Sequence, residues 1–242
     1  MLQALEAAAF SAWPSQHSID VHGWLLRLDR GYTKRANSAN ATAHSSELTP
    51  NDVEAIEARF RESGLVPTFR LTSFAPTQDS DRLLDLRGYR SCDASLVMTR
   101  SLADVADAAE TAFAPDAAAW LEAFGEASSK RGADQVVHLE ILRRIAAPCA
   151  WAVHSEVAPS LTCGLGVHVD DKLGLFDIAT RQDNQRRGLA RRLCEGLLAW
   201  GARRGAQTAF LQVVASNAPA IRLYEQLGFE TAYRYWYRVP NA

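Results

Sequence analysis

Two stretches of the chain carry residue types at spacings that could do chemistry. The first is Gln185-Arg186-Arg187-Gly188-Leu189-Ala190. It lies between an apolar run, Leu173-Gly174-Leu175-Phe176-Asp177-Ile178-Ala179, and a segment where Leu189, Leu193, Leu197 and Trp200 recur at helical spacing. A buried strand, a small-residue turn and a helix start form an arrangement suited to a phosphate. The first helical N–H groups have no intrahelical partner, and the helix dipole is positive at that end. Gly188 lets a bulky anion approach the backbone, and Arg186 and Arg187 add charge. Alone, this loop pattern arises by chance. The second stretch, Asn217-Ala218-Pro219-Ala220-Ile221-Arg222-Leu223-Tyr224-Glu225-Gln226-Leu227-Gly228-Phe229, follows at a fitting distance and makes the pair specific.

Composition bounds what these stretches can serve. The chain has 242 residues, a net charge of -2 and 48% hydrophobic residues, enough for one large or two small globular domains. The near-neutral balance speaks against a nucleic-acid binder. Arg186, Arg187, Arg191, Arg192, Arg203 and Arg204 share one predicted helix, either as a solvated face or as contacts to an anion. The four cysteines sit singly in apolar segments, as buried thiols of a reducing cytoplasm do, and the histidines show no metal-ligand spacing. No apolar run reaches the ~18 residues of a membrane span, and the first residues do not read as a signal peptide. The expectation is a cytoplasmic protein without metal, with monomer and homodimer both open.

The elements around the motifs repeat at an offset of about 140 residues. Leu83-Leu84-Asp85-Leu86-Arg87-Gly88-Tyr89 parallels Leu223 to Phe229: in both, a short helix ends at a glycine and leads into a strand. A helix at about 50–63 with a strand from Thr68 to Ser73 mirrors a helix at 186–204 with a strand at 207–214. We therefore divide the chain into a degenerate copy, 1–91, and a complete copy, 92–242. Where the first copy would hold an anion it reads Leu48-Thr49-Pro50-Asn51-Asp52-Val53-Glu54, a self-capped start with Thr49 as N-cap, Pro50 at the first helical position and a repelling Asp52. The spacing further predicts a hairpin of Trp24–Leu28 with Thr33–Asn40 and a strand from Cys92 to Arg100. Helices follow at about 104–112, 116–129 and 134–146, then an antiparallel meander, Cys149–His154, Leu161–Val169 and Leu173–Thr180. Helix 217–226 and an aromatic strand 229–239 close the chain.

From about Pro148 to Val239 the sequence resembles the GNAT superfamily of acetyl-CoA-dependent N-acetyltransferases. The wording of Asp183–Ala190 and Ala215–Ala220 is closest to the branch that acetylates protein N-termini, ribosomal ones included. The resemblance implies the α/β acyl-CoA N-acyltransferase fold, here duplicated, with a mixed, mostly antiparallel central sheet flanked by helices. It implies acetyl-CoA as cofactor, coenzyme A as product, and direct attack by a primary amine in a ternary complex. It further implies that Ile178, Ala179 and Thr180 pair with the pantetheine arm, on a strand splayed from the one at 208–214. Gln185, Arg186, Arg187, Gly188, Leu189, Ala190 and Arg191 surround the pyrophosphate. Asn217, with Ala220 beside it, meets the pantetheine amides or simply caps its helix, and Tyr224 is the general acid or a core tyrosine.

The base is less clear. A glutamate of the N-terminus-acetylating branch is replaced here by Gln212, and another family glutamate position corresponds to Gly174. Asp177, unusual in an apolar run, is the candidate base or a hydrogen-bonded structural residue. His168 is a second candidate, and water relayed to backbone carbonyls a third route. Tyr233, Tyr235 and Tyr237 should share one face of the last strand and Trp236 the other, as core or as acceptor lining. Trp24, Arg27, Asn37 and Asn40 could close an acceptor cleft. The acceptor itself, a peptide N-terminus, a lysine or a small amine, is not specified, and a non-catalytic acyl-CoA-binding regulator is the rival class.

Overall fold

The alternating and apolar runs pair into one sheet. A computed structural model describes residues 2–42, 45–75, 77–105, 111–128, 134–154 and 160–241. Among them lie eleven strands: β1 (His17–Val21), β2 (Trp24–Leu28), β3 (Ser38–Ala41), β4 (Phe69–Thr72), β5 (Tyr89–Ser101), β6 (Ala112–Phe113), β7 (Cys149–His154), β8 (Thr162–Val169), β9 (Lys172–Thr180), β10 (Thr208–Val214) and β11 (Glu230–Pro240). Their order across the sheet is β1-β2-β3-β4-β11-β5-β10-β9-β8-β7-β6. Only β3/β4 and β9/β10 pair in parallel; the rest are antiparallel.

The helices are α1 (Leu2–Ala12), α2 (Pro50–Glu62), α3 (Gln78–Leu86), α4 (Ala117–Ser128), α5 (Asp134–Arg143), α6 (Leu189–Arg203) and α7 (Ala218–Gln226). On one face of the sheet α1, α4 and α5 enclose Trp13, Trp120, Phe124 and the tyrosines of β11. On the other, α2 and α3 cover β2 to β4 with Ile56, Phe60 and Leu84, while α6 and α7 cover β9 and β10 with Leu193, Leu197 and Leu227. Tyr233, Tyr235 and Tyr237 point to the α1 face and Trp236 to the α2 face, as strand alternation requires.

The strand order is nearly a palindrome about the β11/β5 pair. Each half carries an antiparallel meander, a parallel strand reached through a helix, then a short helix and a last strand. The last strands are exchanged: β11 lies beside β4, and β5 lies beside β10. Each exchanged strand grips the other half's short helix. Arg238 of β11 binds Asp81 and Asp85 of α3, and Arg100 of β5 donates to the carbonyl of Leu227 at the end of α7. Gly88 and Gly228 close the two short helices at φ +82° and +81°, a conformation open to glycine at little cost. The boundary read between residues 91 and 92 falls inside β5.

Several expectations are corrected. β3 begins at Ser38, after a turn of 3-10 helix at Lys34–Ala36, so the expected hairpin of Trp24–Leu28 with Thr33–Asn40 has a longer connection than the residues Asp29-Arg30-Gly31 alone. The tight hairpin is instead β1/β2, through His22 and Gly23, both at positive φ. Around the helix expected at 104–112, Ala103 and Asp104 form a turn and Ala112–Phe113 is a strand; 106–110 lie outside the described residues. The helix expected to 146 ends at Arg143, and α6 starts at Leu189 rather than at 186. No described helix is long and apolar enough to cross a membrane.

Candidate active site

Parallel pairing of β9 with β10 runs from Lys172/Thr208 to Leu175/Leu211 and stops. Beyond it β9 stays bonded to β8 as far as Thr180/Thr162, so its other edge opens a gap. The cause is local. A register shift between β8 and β9 places Asp177 at φ +49°, a bulge that adds a residue and bends the strand. Phe176 and Asp177 then face the α1 side, where Phe176 stacks on Trp13 and Asp177 meets His138, while Ile178 packs toward α6.

The loop after β9 ends in an uncapped helix. Arg186 and Gly188 both adopt positive φ, +60° and +74°, and no side chain caps α6. The first amide to bond back is that of Arg192, to Gly188 O at 3.1 Å, so the amides before it point outward together. The start of α2 is the opposite case. Thr49 Oγ1 accepts from Asp52 N–H at 3.2 Å, and Asp52 accepts from Thr49 N–H at 2.8 Å. The expected contrast between the two helix starts is present in the geometry.

Between the gap, the loop and α7 lies a cleft of about 800 Å³. Ile178, Thr180, Gln185, Arg186, Gly188, Leu189, Ala190 and Arg191 form one wall, and Asn217, Ala220 and Tyr224 the other. Arg187 is exposed and Ala179 pairs with Cys163 of β8; neither lines the cleft. Asn217 Oδ1 accepts from Ala220 N–H at 3.3 Å, so its helix-cap reading holds, on the cleft wall. Tyr224 is 8% exposed, edge-on to Phe229, and packed with Leu193, Cys194 and Leu197. Its hydroxyl has no hydrogen-bond partner among the described residues. Burial, with Cys194 adding to it, pushes that hydroxyl's pKa well above its ordinary value, so it stays protonated.

The base candidates separate. At Gly174 a Cβ would come within 2.5 Å of the Phe176 ring and 2.8 Å of Phe210, so a carboxylate cannot stand there. His168 pairs with Leu173, beside Trp200, at the far end of the strands from the gap, which excludes it from the site. Asp177 lies at the gap. Its carboxylate lies 3.0 Å from His138 Nε2 and is ion-paired with Arg35 at 3.6 Å, and His138 Nδ1 meets Tyr32 Oη at 3.0 Å. Gln212 Oε1 accepts from Tyr235 Oη at 3.2 Å. Of Trp24, Arg27, Asn37 and Asn40, Arg27 alone reaches the gap; Trp24 is in the α2 core, and Asn37 and Asn40 bond their own backbone neighbourhood. Sequence reading missed Glu6 and His138, although each interrupts the apolar face of a helix.

A mixed sheet with a splayed parallel pair and an uncapped helix at the splay defines the GNAT N-acetyltransferase class. The chain belongs to the family described as "Probable histone acetyltransferase Rv0428c C-terminal", whose profile matches residues 1–238. It is 26% identical over 254 residues, 99% of each chain, to the uncharacterized N-acetyltransferase YobR of Bacillus subtilis. It is 52% identical to the Escherichia coli [ribosomal protein bS18]-alanine N-acetyltransferase over 62 residues, 26% of this chain and 42% of that protein. Among solved structures, a GCN5-related N-acetyltransferase from Kribbella flavida shares the fold with a TM-score of 0.69 at 15% identity, over 99% of this chain and 95% of that one.

Proposed function

We propose that the protein moves an acetyl group from acetyl-CoA to a primary amine by direct attack in a ternary complex. The observation that carries this reading is the coincidence, in one cleft, of the uncapped α6 start, the open β9 edge and the unpartnered Tyr224 hydroxyl. These features fit the cofactor: outward amides for a pyrophosphate, a free strand edge for an amide-bearing arm, and a hydroxyl-bearing residue on the cleft wall. Bound there, acetyl-CoA supplies an activated acyl carbon and a thiolate leaving group.

The chain's own residues do the rest. The amides of Gly188 to Arg191 bind phosphate oxygens, with Arg186 and Arg191 adding charge. The edge of β9 orients the arm. Tyr224 holds a proton at the leaving sulfur and donates a hydrogen bond to the charge that develops. Asp177, the one carboxylate on β9, faces the opposite side of the sheet, from which the amine approaches, and receives its proton. Residues 1–91 form a degenerate copy without a cofactor site and 92–242 the complete one. The palindromic strand order supports this division, as does the occupied start of α2.

Two other readings stay distinct. In a peptide N-terminal acetyltransferase proper, Gln212 would leave the usual carboxylate missing; a non-catalytic acyl-CoA-binding regulator would have no use for an unpaired Tyr224 hydroxyl. The test is calorimetry with acetyl-CoA followed by thiol release across a panel of amines in the reducing conditions of a cytoplasm. Binding with amine-dependent release is expected. Binding without release from any amine would favour the regulator, and no binding would end the proposal.

A further inference from the structure

The gap between β9 and β10 opens on both faces of the sheet, and the cleft above uses only the α6 and α7 face. On the α1 face lies a notch lined by Phe10, Trp13, Arg27, Arg35, Phe176 and Gln212. Phe176 and Gln212 are the residues just past the last paired rung, Leu175/Leu211, so the notch sits at the mouth of the gap. Its accessible space is about 10 Å³, room for one water-sized group.

The charges around it do not balance. Arg70, also on the wall, is satisfied by a two-pronged pair with Glu6. Arg35 leans on Asp177 at 3.6 Å, longer than a charge-assisted hydrogen bond, and lies 4.6 Å over the Trp13 ring. Arg27 is 3% exposed and has no carboxylate partner among the described residues. It donates only to the carbonyls of Phe10, Trp13 and Arg35. Burial, and then the Arg70 charge, push its pKa down to about 10, against the opposing pull of Tyr237 and Glu6. Three guanidiniums share two carboxylates, which leaves one positive charge over at the place where the acceptor must arrive.

We propose that this notch is an anion subsite that seats a carboxylate carried by the acceptor within a few bonds of its amino group. The inference rests on the transferase reading above. One carboxylate oxygen fits the space and Arg forks suit its planar geometry, whereas a tetrahedral phosphate is too large. Gln212 then has a reason. It lines the notch and its Oε1 accepts from Tyr235, so the hydrogen bonds it has left to give are those of its amide N–H groups, where a glutamate would repel the acceptor. A peptide N-terminus offers only a neutral amide at this distance. The acceptor class is therefore a free amino acid or a related short amino carboxylate.

The experiment compares glycine with glycinamide and β-alanine with β-alaninamide at saturating acetyl-CoA. Wild type should favour the acids by about 10- to 100-fold in kcat/KM, the range of hydrogen bonds to charged groups. In Arg35→Met and in Gln212→Glu that ratio should fall to about 1, chiefly through KM. The second variant keeps the test alive where loss of Arg35 disturbs the fold. Equal use of acid and amide by wild type, or an unchanged ratio in both variants, overturns the subsite. Calorimetry keeps the two proposals apart. Absent acetyl-CoA binding counts against the transferase, while titration with N-acetylglycine reads the notch directly: binding lost in Arg35→Met supports it, and no binding to wild type refutes it.

Discussion

Tyr224 shows how one residue serves packing and chemistry at once. It belongs to the α6/α7 core and also lines the cleft. Tyr224→Phe keeps the ring and should lower turnover by about 10- to 1000-fold with acetyl-CoA affinity retained. Steady-state rates alongside calorimetry measure this, and wild-type turnover would make the tyrosine purely structural. Glu6 is the second residue with a sharp consequence. Burial opposes its ionisation, but Arg70 beside it, with hydrogen bonds from Arg70 and Tyr233, holds its carboxyl below the ordinary 4.5. A depressed carboxylate contributes stability that is complete above the unfolded pKa and lost as pH falls through the folded value. Thermal stability should therefore fall below about pH 4.5 in wild type and less steeply in Glu6→Gln. That variant should also lose about 3 to 5 kcal/mol near neutrality, because Arg70 stays buried without its partner. A Glu6→Gln melting curve matching wild type at every pH would contradict this.

At the scale of elements, the start of α6 decides binding. Gly188→Glu places a side chain and a negative charge where outward amides converge, in a left-handed conformation that resists any Cβ. Acetyl-CoA affinity should fall by at least about 10-fold, about 1.4 kcal/mol and so more than the ~0.3–1 kcal/mol of a lone exposed dipole effect; unchanged affinity by calorimetry would remove the helix start from the site. The strand, helix and loop motifs of the C-terminal half were legible because periodicity and turn chemistry coincide there. The Thr49 cap was legible for the same reason. The rest was not. α1 carries more alanine than any other residue, and its burial at Ala8, Ala9 and Ala12 depends on a sheet assembled from distant strands. The bulge at Asp177 comes from a register shift against β8, which β9 cannot announce alone. The notch joins Arg27, Phe176 and Gln212, residues with no common sequence neighbourhood.

For the whole molecule, strand exchange makes the halves inseparable. A cut near Cys92 removes β11 from beside β4 and breaks the Arg238 clamp on α3. Fragment 1–91 is also too short to cover the apolar face of β2 to β4 comfortably. Expressed fragments should be insoluble or molten; a soluble 1–91 with a cooperative melt would show that the exchange is not needed. One acetyl-CoA per chain should bind, since the second would-be site is filled by Thr49 and Asp52. A stoichiometry of two by titration would refute that assignment.

The exchange also sets a timetable for synthesis. Ser73, just past β4, bonds Arg234 of β11 across 161 residues of chain. While the ribosome is still making the second half, the first presents β4 as a bare strand edge with nothing to close it. Completion of the earlier-made half must wait for β11. Nascent chains stalled before residue 230 should therefore recruit holding chaperones and remain protease-sensitive throughout, then become resistant in a single step once β11 has cleared the exit tunnel. Early protease resistance of the first half on such stalled chains would show that it closes without β11.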